Sequence, residues 1–150
     1  MAVLKEALLE QCQLFVDERL KKLQKTIHDI QESLLSETKS SAGDKHETGR
    51  AMLQLEREKT GKQLAEVQKL NEMLNKIDLT ITGEHIRLGS IVYTSQANYF
   101  IAISTGLLSV SNEQFFAIAP NTPIGKLLLG KKVNDDIFFN GKQIKITSIH

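Results

Sequence analysis

The fold of this chain is constrained most by two long segments in which mostly apolar residues recur at alternating spacings of three and four. Such a row of residues along one side of a helix is here called a stripe. The two segments span about residues 2–38 and 48–77, and only a short polar stretch separates them. The stripe of the first segment consists of Leu4, Leu8, Cys12, Val16, Leu20, Leu23, Ile27, Ile30 and Leu34. The stripe of the second consists of Leu53, Thr60, Leu64, Val67, Leu70, Leu74 and Ile77. This heptad spacing predicts two α-helices, each with one face that must be buried.

The polar stretch at residues 41–50, here called the tip segment, predicts that the chain turns back on itself. Two helices of nearly equal length joined by a short break bury both stripes most simply by antiparallel pairing within one molecule. A monomer is therefore expected, and an intermolecular coiled coil is the alternative. With a rise of about 1.5 Å per residue, the tip segment would lie roughly 50 Å from the base of the hairpin. It carries two carboxylates, Asp44 and Glu47, with His46 between them.

Composition changes near Asp78. Residues 1–78 contain no proline and no tyrosine, whereas residues 79–150 hold both prolines, both tyrosines and five of the six phenylalanines. We therefore predict two domains, a helical hairpin at residues 1–78 and a second domain at residues 79–150.

The second domain shows short β-rich runs with turn residues between them. Residues 90–94 and 99–103 predict a β-hairpin, and residues 115–118 predict a strand that ends at Pro120. Thr122, Pro123 and Gly130 are typical of the cap, first residue and stop of a short helix. Residues 136–146 predict a hairpin that turns at Asn140-Gly141. The expected fold class is α+β, an antiparallel helical hairpin followed by a small antiparallel sheet with one short helix.

Charge and cysteine content exclude several classes of function. The net charge of +1 gives no bulk attraction to nucleic acid or membranes. A single cysteine excludes an internal disulfide framework and a cysteine-rich zinc site, and it fits a cytoplasmic protein. No apolar run approaches the ~20 residues of a membrane span, and the N-terminus lacks a signal-peptide pattern.

The order of these parts resembles the bacterial GreA/GreB transcript cleavage factors, over nearly the whole chain. The strongest match is residues 121–136, which read Asn-Thr-Pro-Ile-Gly-Lys-Leu-Leu-Leu-Gly-Lys-Lys-Val-Asn-Asp-Asp. The family has a similar Ser-Pro-hydrophobic-small-x-x-Leu-hydrophobic-Gly-Lys stretch that an acidic pair follows. The second match is at the tip segment. There the family carries Gly-Asp-x-x-Glu-Asn, and this chain has Gly43-Asp44-Lys45-His46-Glu47-Thr48.

The resemblance implies a protein that binds RNA polymerase and inserts its hairpin into the secondary channel, where nascent RNA lies nearby. Asp44 and Glu47 would help to hold a second Mg²⁺ at the polymerase active site, so that backtracked RNA is cut. Carboxylate oxygens suit Mg²⁺, and a two-metal site stabilises both reacting oxygens of a phosphodiester. The chain would bind no cofactor alone and would not itself be an enzyme. Its FKBP-like second domain would dock on the channel rim, with Asn121 and Pro123 in the polymerase-facing loop.

The tip segment departs from the family at Lys45, at Thr48 and at residues 49–51, where the family has Leu, Asn and an Ala-Glu-Tyr run. These departures bear on cleavage more than on polymerase binding. A regulator that occupies the channel without cleavage is therefore one alternative, and a coiled-coil assembly or chaperone-like protein is another. A prolyl isomerase would need an aromatic-lined pocket, and this chain has no Trp and only two Tyr.

The candidate site residues also have purely structural interpretations. On spacing alone, Asp44 and Glu47 are a helix cap and a first-turn acid that the helix dipole favours. His46 is either a metal ligand or an exposed loop histidine, and no second histidine or cysteine lies at ligand spacing. Asn121 and Pro123 are also typical of the punctuation before a helix.

Two further groups of residues stand out, three lysines of the first helix and three consecutive leucines of the second domain. Lys21, Lys22 and Lys25 resemble the basic face that runs beside RNA in the Gre family, and they equally fit a solvated helix face. The three leucines at residues 127–129 are expected to be core residues.

Overall fold

The structure is a computed structural model that describes residues 1–39 and 44–150, and the side chains of residues 37–47 lie outside this description. Two long helices come first, α1 (Ala2–Lys39) and α2 (Asp44–Asn75), and a short α3 (Pro123–Leu128) comes later. The strands are β1 (Ile91–Thr94), β2 (Asn98–Ile101), β3 (Gly106–Val110), β4 (Glu113–Ile118), β5 (Asp136–Phe139) and β6 (Lys142–Ile149). The predicted α+β class is confirmed. Among the described residues, no helix combines the length and the apolarity that a membrane crossing requires.

The chain divides into two compact units. One comprises Val16–Asn71, and the other comprises Met1–Phe15 together with Glu72–His150. The continuous helix α1 therefore contributes residues to both units.

In the unit Val16–Asn71, α1 and α2 pair in opposite directions. Lys22 and Leu23 of α1 line a groove with Gln63 and Val67 of α2. Farther along α1, the carbonyl oxygen of Leu34 accepts a hydrogen bond from Nη1 of Arg50 at 3.3 Å. Rising residue numbers in α1 thus meet falling numbers in α2, which confirms the predicted antiparallel hairpin.

The buried faces of this helix pair follow the heptad stripes. Val16, Ile30 and Val67 are buried, and so is the polar stripe residue Thr60. The Thr60 hydroxyl donates to the carbonyl oxygen of Glu56 at 2.9 Å. Because a side-chain hydroxyl can satisfy itself on the preceding helical turn, Thr60 is accommodated in an otherwise apolar stripe.

The second unit contains a six-stranded sheet with the strand order β3-β4-β2-β1-β6-β5. The hairpin about Asn140-Gly141 is confirmed, and both residues have positive φ, at 52° and 74°. The sheet is mixed rather than wholly antiparallel because β2 and β4 run parallel, with Tyr99 opposite Phe116.

Strand β3 was not predicted from the sequence. It forms a hairpin with β4 through a turn at Ser111 and Asn112, whose φ values are 51° and 67°. Positive φ at both central residues is the geometry of a tight hairpin turn, and Asn tolerates it better than most residues. The Ser-Asn pair was the missed signal.

The two sheet faces bury different residues because side chains alternate along a strand. One face carries the core of Val92, Ile101 and Ile146, to which Ile124 and Leu128 of the α3 region also belong. On the other face, Ile91, Phe100 and Phe115 are fully buried.

The first turns of α1 belong to the same unit as the sheet. Leu8 and Cys12 of α1 are fully buried. Nε2 of Gln11 donates to the carbonyl oxygen of Ser109 at 3.0 Å, which places this part of α1 beside β3. The stripe of α1 is therefore buried in this unit as well.

Burial raises the pKa of the Cys12 thiol from 9.0 to about 11. Because the folded state holds this thiol protonated, its contribution to stability is complete below pH 9.0 and is lost as the pH rises towards about 11. Between about pH 8 and about pH 10, the free energy of unfolding of wild type should fall by about 1 kcal/mol more than that of Cys12→Ala. Urea titrations at both pH values measure this difference, and identical pH dependence in the two proteins would show that the thiol is not desolvated.

Candidate functional site

The strongest sequence match, residues 121–136, begins with a tightly fastened turn before α3. The Thr122 hydroxyl accepts a hydrogen bond from the N–H of Gly125 at 3.1 Å and donates to the carbonyl oxygen of Ala119 at 2.7 Å. Pro123 is the first helical residue, where its missing N–H costs nothing. The predicted cap and first residue of this helix are thus confirmed.

This turn presents the two predicted partner-binding residues to solvent. Asn121 and Pro123 are both exposed, whereas Thr122 between them is half-buried and faces the turn. Because Thr122 is held at both hydrogen-bonding positions, its neighbours are displayed on a defined backbone rather than on a loose loop. The structure therefore supplies a rigid, accessible surface at this place in the fold.

Gly125 allows the turn to close. A Cβ atom at this position would clash with the carbonyl oxygen of Ala119 and would lie 2.9 Å from that of Pro120 and from the Thr122 hydroxyl oxygen. Gly125 is buried, so no side chain could swing into solvent. The residue is required here because only hydrogen fits between α3 and the preceding backbone.

The prediction that the three leucines at residues 127–129 are core residues is wrong for two of them. Leu128 is fully buried, but Leu127 and Leu129 keep 36% and 37% of their surface exposed. Leu127 and Leu128 are successive residues of the helix and therefore face different sides of it. Leu129 is the C-cap, where the backbone leaves the helix with φ −53° and ψ 131°. The two exposed leucines add apolar surface at the C-terminal end of α3.

The acidic residue Asp135, which ends the matched stretch together with Asp136, has a structural contact. Oδ2 of Asp135 accepts a hydrogen bond from the N–H of Lys132 at 2.8 Å. Asn134 next to it has a φ of 75°. Asp135 therefore closes the loop between α3 and β5.

The second candidate site is the acid pair Asp44 and Glu47. Helix α2 begins at Asp44, so both positions belong to its first turn. Their side chains, and those of Lys45 and His46, lie outside the described residues, and the predicted metal contacts stay a prediction. Within the described part of the chain, no group of three or more His, Cys, Asp or Glu could hold a metal ion.

Arg50 is the first described long side chain of α2 after the acid pair. Its guanidinium bonds the Leu34 carbonyl oxygen of α1 at 3.3 Å, and the two residues line a shallow pocket with Gln31 and Leu35. From the sequence, this position was only a departure from the family pattern. The structure gives it a role, because Arg50 joins the two helices close to the start of α2.

The three lysines of the predicted basic face, Lys21, Lys22 and Lys25, are all exposed. Lys22 also lines a groove with Arg19 of the same helix and Glu66 of α2. Because Glu66 brings a negative charge to this groove, the face is mixed in sign.

Comparisons with known proteins give little beyond these observations. No protein-family model matches the chain, and no curated protein matches it either. A solved structure described as that of the transcription factor Gfh1 covers 95% of this chain and 92% of its own, with 19% identity and a TM-score of 0.35. Such a remote likeness carries no functional argument, so function is argued below from the chain itself.

The close packing at Gly125 makes a direct prediction. Gly125→Ala should lower the free energy of unfolding by about 1 to 3 kcal/mol, because the added methyl group must push backbone carbonyls apart. Gly83→Ala is the matched control, since a Cβ atom there meets nothing within 4 Å. Its effect should stay within about 0.5 kcal/mol. Urea denaturation of both variants measures these values, and equal stability of the two would contradict the packing described at α3.

Proposed function

We propose that this protein binds RNA polymerase, inserts its helical hairpin into the secondary channel and stimulates cleavage of backtracked RNA. In this proposal Asp44 and Glu47 lie near the active-site Mg²⁺ of the polymerase and share it. The protein is then an accessory factor, because the catalytic centre belongs to the polymerase. Both proteins act in the cytoplasm.

One observation carries the proposal. The two acids that match the family motif fall in the first turn of α2, directly after the break between two antiparallel helices. Positions three apart in a helix lie on the same side, so a shared metal ion is compatible with this spacing. Mg²⁺ commonly takes one or two protein carboxylates and fills its remaining positions with water and phosphate oxygens. The pair would thus supplement a metal site without forming a complete one.

The turn before α3 supports the docking part of the proposal. Asn121 and Pro123 occupy the positions of the family's polymerase-facing loop, and both are exposed on a hydrogen-bonded backbone. A rigid binding surface loses little conformational entropy on association, which favours its use as a contact. The exposed leucines at positions 127 and 129 add apolar surface at the C-terminal end of the same helix.

The acid pair is tested by Asp44→Asn and Glu47→Gln, which keep the shape of each side chain and remove its charge. Helix capping should survive the first change, since Asn caps about as well as Asp. With a backtracked elongation complex at limiting Mg²⁺, wild type should shorten the RNA from its 3′ end. Each variant should bind the complex, compete with wild type and fail to cut. Gel analysis of end-labelled RNA measures the cleavage.

Asp29→Asn and Glu58→Gln are the controls, because both residues are exposed acids elsewhere on α1 and α2. They should cleave like wild type. If Asp44→Asn and Glu47→Gln also cleave like wild type, the acids are not metal ligands and the proposal is wrong. If wild type binds and never cuts, the protein occupies the channel without cleavage. Lys45 and Thr48 are then the first residues to replace by the family's Leu and Asn.

The docking surface is tested by Asn121→Glu and Pro123→Glu. Both positions are exposed, and glutamate is tolerated in the first turn of a helix. The variants should keep the circular dichroism spectrum of wild type and bind core polymerase about tenfold or more weakly. Gln96→Glu, an exposed change in the turn between β1 and β2, should bind like wild type. Unchanged affinity in the first two variants would move the docking surface away from α3.

A further inference from the structure

Lys5 is a charged residue beside the buried stripe of α1. It precedes Leu8, Cys12 and Val16 at helical spacing, and only 4% of its surface is exposed. The sequence analysis did not single it out, because a lysine in the first turn of a helix is usually solvated. A lysine buried to this degree normally has a carboxylate partner.

No such partner is present among the described residues. No hydrogen bond or ion pair joins the Lys5 ammonium to any of them. Burial and then the Arg87 guanidinium, another cation, lower the pKa of Lys5. The Asp78 carboxylate makes no ion pair with Lys5, and its Oδ1 accepts the N–H and the hydroxyl of Thr80.

Lys5 lines a cleft of about 370 Å³ in the unit that contains the sheet. Leu79 and Ile149 supply an apolar wall, and Thr82 and His150 supply polar groups. A cleft of this size with apolar walls and a few convergent polar groups is typical of small-molecule sites.

The first turn of α1 opens onto the same cleft. Ala2, the first residue of this helix, lines it, and no acidic residue stands in the first turn. The N–H groups of residues 2–4 precede the first intrahelical donor, which is the N–H of Lys5 bonded to the Met1 carbonyl oxygen at 2.9 Å. A helix N-terminus attracts anions through these N–H groups and through the helix dipole.

We propose that this cleft binds a small phosphate-type oxyanion. The Lys5 ammonium and the free N–H groups of α1 bind its oxygens, with the Thr82 hydroxyl beside them, and any apolar substituent lies against Leu79 and Ile149. Several separate donors around one point suit a tetrahedral phosphate, whereas a planar carboxylate is better matched by a forked guanidinium. This site is independent of the acid pair and of polymerase binding.

The test is a titration of the full-length protein with inorganic phosphate, with ionic strength held constant by sodium chloride. In wild type, the amide resonances of Leu4 and Gly83 should shift saturably in heteronuclear NMR spectra. In Lys5→Met the dissociation constant should rise about tenfold or more, because one charge-assisted hydrogen bond is lost. Lys21→Met, which removes an exposed lysine from the same helix, should bind like wild type.

Thr82→Val is the second variant, because Thr82 is exposed and its replacement should therefore leave the fold intact. It should weaken phosphate binding severalfold, and this result stands even if Lys5→Met does not fold. Sodium acetate is titrated in parallel, and it should bind more weakly than phosphate. Equal responses to phosphate and chloride, tighter binding of acetate, or unchanged affinity in both variants would each overturn the proposal.

Discussion

Burial of the stripe along α1 is the interaction on which the rest of this structure depends. Leu8 and Cys12 bury their side chains in the unit that contains the sheet, and Val16 and Ile30 bury theirs in the helical unit. Full burial of an aliphatic side chain contributes about 1.5 to 3 kcal/mol. One continuous helix of 38 residues therefore stabilises both units. A break in α1 would therefore disturb buried side chains in both units.

Polar groups on and near this apolar framework are accommodated in three different ways. Thr60 satisfies its hydroxyl on the preceding turn of its own helix. Arg50 reaches across to a carbonyl oxygen of the other helix and so links α2 to α1 near the acid pair. Lys5 has neither solution among the described residues, and the proposed oxyanion site rests on that observation.

The two candidate sites of the proposed function differ in what holds them. The turn before α3 is held by the Thr122 hydroxyl and by the close approach that Gly125 permits, so its geometry is local and rigid. The acid pair depends instead on where α2 begins after the break, and thus on the pairing of two long helices. A mutation far along either stripe can therefore affect the acids, whereas the turn before α3 depends on its own few residues.

Several features were set by the sequence alone. The heptad spacing determined the helix pair. The start of α3 was predictable from Thr122-Pro123, and the hairpin between β5 and β6 from Asn140-Gly141, because both depend on local backbone preferences. Only the tertiary structure decided the parallel pairing of β2 with β4, the exposure of Leu127 and Leu129, and the burial of Lys5. These three features depend on tertiary contacts between segments that are distant in the sequence, and local backbone preferences do not determine such contacts. The stripe positions are buried or half-buried, as their spacing predicts. Whether a lysine next to the stripe is also covered depends on distant segments, here the loop at residues 79–83 and the end of β6.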